Sequence, residues 1–247
     1  MARGLSLVAG GAVSARSGPV EHHRLPSGLG ERWRLPAPPN PTLSELFAAH
    51  PRDGGWAGFL LAQVAADKPL LWVQERMAIL ESGRIQPSGL PAQDFIHVEA
   101  RDARDALWAM EEGVRCSCLS AVIGELWGDP RALDFTATRR LAVASERSGT
   151  PCWLVRLGGH ANLSGARMRW RIASAPSLPD ELDPRAPGTP AWDAELFRAR
   201  GLPTGRWSLA HEGPPSKYYF EGTQADRFHL VAASGDRALG EVERLRA

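Results

Sequence analysis

Lysine is almost missing from this chain: Lys68 and Lys217 stand against 27 arginines in 247 residues. A GC-rich coding sequence accounts for such a bias in bulk, while clustered arginines offer planar, permanently charged forks suited to phosphates and carboxylates. The net charge is only +1, which excludes a general electrostatic attraction to DNA or to anionic membranes. Cysteine is scarce as well. Cys116, Cys118 and Cys152 are odd in number, which argues against a disulfide framework and for a reducing, cytoplasmic setting. Cys116 and Cys118 have no companion pair of His or Cys at zinc-site spacing, so no metal is expected. No apolar run approaches the roughly 20 residues of a membrane span. Nor does a Ser/His/Asp set, a Cys/His set or a pair of carboxylates stand at a recognisable catalytic motif. No catalytic residue and no cofactor is assigned.

At 43% hydrophobic and 23% charged, the chain reads as an ordinary globular protein, and its length suits one large domain or one domain with tails. Residues 1–40 are rich in Gly, Pro, Ser and Arg and read as a tail containing His22 and His23. Their mildly apolar stretch at 5–13 faintly resembles a secretory signal, but it is short and broken by Gly10 and Gly11. Residues 41–212 read as the folded domain and 213–247 as a C-terminal extension, within which 227–231 form one further candidate strand.

Within the domain, short apolar runs at 69–74, 94–99, 119–125 and 151–156 have the character of covered parallel strands. Between them, 102–114 and 133–148 show apolar residues at helical spacing, with Asp102 able to cap the first helix and Gly149 placed to end the second. This alternation predicts an α/β fold with a mostly parallel sheet flanked by helices. After Gly158 the pattern changes to polar–apolar alternation at 166–173 and 193–198, with a short mixed run at 207–211, which predicts antiparallel strands extending one edge.

The first strand–turn–helix unit is the most informative. Leu43-Ser-Glu-Leu-Phe47 leads into a Gly-containing turn and then the apolar run 59–64, the frame of a nucleotide-binding phosphate loop. In that motif a Lys reaches the outer phosphates and a Ser or Thr hydroxyl holds Mg²⁺. Here Trp56 and Ala57 occupy those places, and neither side chain neutralises a triphosphate or ligates a metal. Pro51, Arg52, Asp53, Gly54, Gly55, Trp56 and Ala57 therefore read as a vestigial phosphate loop. Glu125, at the end of the strand over 119–125, resembles by position the metal-linked carboxylate of RecA, which implies a vestige of that role.

Other side chains carry candidate surfaces. Arg167, Arg169 and Arg171 alternate with Met168, Trp170 and Ile172 and so share one strand face. Three like charges about 7 Å apart repel unless an anionic partner or local carboxylates relieve them, which makes this face the candidate contact for DNA or an acidic partner. Trp108 lies off the apolar stripe of its helix, as an interface anchor would. Arg139, Arg140 and Arg147 follow the polar side of the next helix, a pattern ordinarily belonging to a solvated face.

Three stretches resemble the ImuA family, the RecA-like accessory proteins of bacterial SOS mutagenesis. They are Leu43-Ser-Glu-Leu-Phe47 with the strand at 69–73, Ala100-Arg-Asp-Ala-Arg-Asp-Ala-Leu-Trp-Ala-Met-Glu-Glu-Gly113 running on to Leu126, and Leu133-Asp-Phe-Thr-Ala-Thr-Arg-Arg-Leu141 with Arg167-Met-Arg-Trp-Arg-Ile-Ala173. Together they span roughly residues 42 to 211. The resemblance implies a RecA-like core without ATPase chemistry, acting in SOS-induced, error-prone translesion synthesis. It implies as partners an ImuB-type polymerase homologue and an error-prone DnaE-type polymerase, and contact with RecA and with DNA, but no membrane. Two other readings stay open: a divergent RecA-type, DNA-dependent ATPase that uses Arg52 as a displaced cation, and a damage-inducible inhibitor of cell division.

Overall fold

In the computed structural model, the described residues are 35–86, 94–180, 183, 185–186, 188–211 and 228–231. Residues 1–34 of the tail expected over 1–40, and most of the extension expected over 213–247, lie outside them. Continuous apolar runs become parallel strands: β1 (Leu43–Ala48), β2 (Leu70–Glu75), β4 (Ala121–Trp127) and β5 (Cys152–Leu157) are buried, and β3 (Phe95–Ala100) is a partly exposed edge strand. The alternating segments become β6 (Met168–Ala175), β7 (Ala191–Ala199) and β8 (Gly205–His211), and β9 (Phe228–Leu230) pairs antiparallel to β8.

The sheet order is β3-β2-β4-β5-β1-β6-β7-β8-β9. The strands from β3 through β6 are parallel, and from β6 to β9 each neighbour runs antiparallel. This is the mostly parallel α/β sheet with an antiparallel edge that the pattern predicts. A register shift between Arg169 and Trp170 marks an irregularity in the β6–β7 pair.

Among the described residues four helices flank the sheet: α1 (Trp56–Leu61), α2 (Arg76–Ser82), α3 (Ala103–Val114) and α4 (Phe135–Ser148). Asp102 caps α3 by accepting from the amides of Arg104 and Asp105, and Asp134 caps α4 by accepting from Ala137. Gly149 ends α4 at φ 76°, a left-handed conformation that favours glycine. No helix among the described residues is long and apolar enough to cross a membrane.

The two faces of the sheet carry different cores. On one, Trp72, Trp170, Phe59, Leu46 and Ile123 pack with α1, joined by Leu35. On the other, α3 and α4 press Met110, Val114 and Leu141 onto Leu43, Val122, Leu126 and Leu154. Gly124 lets α3 approach closely, because a β-carbon there would collide with the Met110 sulfur. Cys116 and Cys118 differ from expectation: they are joined by a disulfide. With one residue between them, this bond closes a local loop rather than linking elements. Cys152 is buried, and burial pushes its thiol pKa well up.

Candidate functional site

The phosphate-loop segment connects β1 to α1, where the motif places it. Its chemistry is directed inward. Asp53 accepts from the amide of Gly55 (2.9 Å), from the amide of Ser174 (2.7 Å) and from the Ser174 hydroxyl. A carboxylate from the loop itself thus takes up one loop amide and ties the loop to β6. Burial works to raise the Asp53 pKa, but the Ser174 and Gly55 hydrogen bonds outweigh it and the net shift is downward. The Gly55 carbonyl is also engaged, accepting from Trp192 Nε1 at 2.7 Å.

Trp56 is buried and lies 6.0 Å, centroid to centroid, from Trp72. Around these rings remains a cavity of about 170 Å³, lined by residues 51–54, Trp56, Ala57, Trp72, Gln74 and Glu125 among others. Small-molecule sites run roughly 300–1,000 Å³, so this space is narrow for a nucleotide. The fold thus brings the loop and Glu125 to one cavity. Glu125 is nearly fully buried and accepts from Trp72 Nε1 and, at 3.1 Å, from Gln74 Nε2. Desolvation raises its pKa to about 7, against the opposing hydrogen bonds of Gln74 and Trp72. Arg52 is largely exposed and paired with Glu81 at 3.1 Å. Its guanidinium is therefore held by a surface carboxylate.

The three strand arginines lie on one face of β6, as alternation requires, yet they are not an open row of cations. Arg169 is buried, and its Nε donates to Glu45 Oε2 at 2.6 Å, while Ser164 donates to the other oxygen at 2.7 Å. Arg167 pairs with Glu146 (2.7 Å) and Arg171 with Glu195 (2.6 Å). Local carboxylates relieve the repulsion, and the expectation of a free three-arginine surface is corrected on this ground. Arg169 is a core residue.

Phenylalanines complete that core. Arg156 and Arg169 lie 5.5 and 5.2 Å from the Phe47 ring centroid, and Arg169 and Arg171 lie 5.4 and 5.1 Å from that of Phe197. Guanidinium and phenyl groups from β5, β1, β6 and β7 thus alternate across four neighbouring strands. Arg156 is anchored by Asp129, which also accepts from the His160 amide (2.9 Å) and Nδ1 (2.6 Å). Desolvation lowers the Arg156 pKa, opposed by the charges of Glu45 and Asp129.

Sequence reasoning missed Glu45, Phe47, Arg156 and Phe197. The one available signal was Glu45 itself, a carboxylate inside an otherwise apolar strand, which requires a buried partner.

No family model matches the chain. It is 34% identical over 176 residues to "Protein ImuA" from two strains of Caulobacter vibrioides, an alignment covering 67% of this chain and 70% of the relative.

Proposed function

The chain belongs to the ImuA family, whose theme is damage-induced mutagenesis, and from that premise we propose that it is a non-catalytic accessory of SOS-induced, error-prone translesion synthesis. In this reading the RecA-like sheet is a scaffold, holding an ImuB-type polymerase homologue and an error-prone DnaE-type polymerase, with RecA as a further contact. One observation supports the non-catalytic part above the rest: Asp53 occupies the Gly55 amide beside a Trp56 packed on Trp72. An internal anion at a loop amide competes with phosphate by charge, and an indole occupies the volume where the motif's lysine would extend.

Two measurements test the reading. Co-purification of the full chain with the polymerase homologue is expected, and its absence overturns the scaffold role. Calorimetric titration with Mg·ATP is expected to give no heat of binding. Saturable binding that disappears in Arg52→Ala would establish the divergent ATPase instead.

A further inference from the structure

The outer surface of α3 and α4 carries a charge imbalance that the whole chain does not. Three adjoining depressions, of about 490, 670 and 600 Å³, cross it in sequence. The first and second share Glu111, Thr136 and Arg140, and the second and third share Arg139 and Val143, so they form one continuous trough. Arg104 and Arg131 flank Trp108 in the first. Arg115, Arg140 and Arg147 line the second. Arg167, Arg198 and Arg200 close the third, with Arg139 between the last two.

Nine arginines therefore line the trough, against two carboxylates, Glu111 and Asp134. Both carboxylates are committed. Glu111 accepts from Arg115 and Arg140, Asp134 caps α4, and beyond the lining Glu112 pairs with Arg115 and Glu146 with Arg167. Arg131, Arg139, Arg147, Arg198 and Arg200 have no ion-pair partner among the described residues. A genomic preference for arginine over lysine explains which cation is used. It does not explain why five arginines without an ion-pair partner among the described residues are set along one trough of a chain whose overall charge is +1.

Exposed rings stand among these cations: Trp108 is 63% and Phe135 40% exposed. We propose that this trough binds single-stranded nucleic acid, with the arginines tracking phosphates and Trp108 and Phe135 offering stacking surfaces. The geometry favours a strand over an acidic protein segment, because a polyanion with flat bases uses both guanidinium forks and bare aromatic faces. The trough is separate from the phosphate-loop cavity. It deepens the accessory role proposed above by giving it a DNA ligand, and it stands without the polymerase partners.

Fluorescence anisotropy of the full chain with a labelled oligothymidylate of about 20 nucleotides, longer than common single-strand sites, tests the proposal. Binding is expected to weaken with salt, log K falling against log[salt] by about 0.7 per phosphate contacted. Replacing Arg139, Arg147, Arg198 and Arg200 together by Gln is expected to weaken binding at least about tenfold and to flatten that slope. The same four positions changed to Lys keep the charge and should retain the slope. Trp108→Ala is expected to weaken binding by about tenfold without changing the slope. Circular dichroism of each variant should match the parent, since all four arginines and Trp108 are exposed. The proposal is overturned if the parent does not bind the oligonucleotide, if the folded Gln variant binds equally well, or if the trough takes labelled oligoglutamate and not DNA. Loss of polymerase co-purification would leave this result untouched, so the two readings fail separately.

Discussion

The two faces of the sheet treat polar groups in opposite ways. On the α1 face, where the phosphate loop sits, a carboxyl group is buried without a cation: Glu125 receives only the N–H groups of Trp72 and Gln74. Tryptophans fill the surrounding space. On the α3–α4 face, Glu45 is buried against a full positive charge, and that cation lies between two phenyl rings. The first arrangement favours a neutral carboxyl group, whereas the second is a buried, hydrogen-bonded ion pair. A nucleotide site needs fixed positive charge near its phosphates. Here the cations that line the loop cavity, Arg52 and Arg84, are each paired with a carboxylate, Glu81 and Glu99, while the buried cation Arg169 lies on the other face.

Removing Glu45 should break this contrast most severely. Glu45→Ala leaves Arg169 buried and unpaired, and is expected to cost about 3–5 kcal/mol in urea unfolding. Glu45→Ala combined with Arg169→Met should recover much of that loss, because the orphaned charge is gone. On the opposite face, Trp56→Ala removes a ring packed on Trp72 and should cost about 3 kcal/mol in the same assay.

Glu125 sharpens the contrast through pH. Its folded pKa of about 7 lies above the ordinary 4.5, so the native state holds the proton more tightly. Its stabilising contribution is full below pH 4.5 and is lost as pH rises through 7, amounting to about 3 kcal/mol at roughly 1.4 kcal/mol per unit. Unfolding midpoints from pH 5 to 8 should therefore fall in the parent and flatten in Glu125→Gln. Asp53 has the opposite sign. Its depressed pKa contributes stability above 3.8 that disappears on acidification. Asp53→Ala should cost about 1–2 kcal/mol at neutral pH by releasing Ser174 and Gly55.

Much of the fold was legible because period and composition are local properties. The apolar runs of β2, β4 and β5 and the alternation of β6 and β7 carry their own signals, as do the caps Asp102 and Gly149. Helix α2 escaped notice, since seven residues give too few turns for a periodicity. The loop was legible as a strand–turn–helix unit and Glu125 only through a likeness of position; the fold brings both to one cavity. The arginine face was harder. Alternation correctly put Arg167, Arg169 and Arg171 on one side, but their carboxylates arrive from β1, α4 and β7, and the Glu45–Arg169 pair is 124 residues apart in sequence. The trough was hidden for the same reason. Arg139 looks like part of a solvated helix face until the fold sets Arg198 and Arg200 in the same depression.

Because every basic side chain lining the trough is an arginine, its positive charge is almost fixed by covalent structure. Guanidinium groups stay protonated throughout the cellular pH range, and lysine acylation has nothing there to modify. Arginine methylation would keep the charge and block only the fork. Protonation and acetylation, which retune many basic surfaces, have no purchase on this one, and ionic strength is the remaining control.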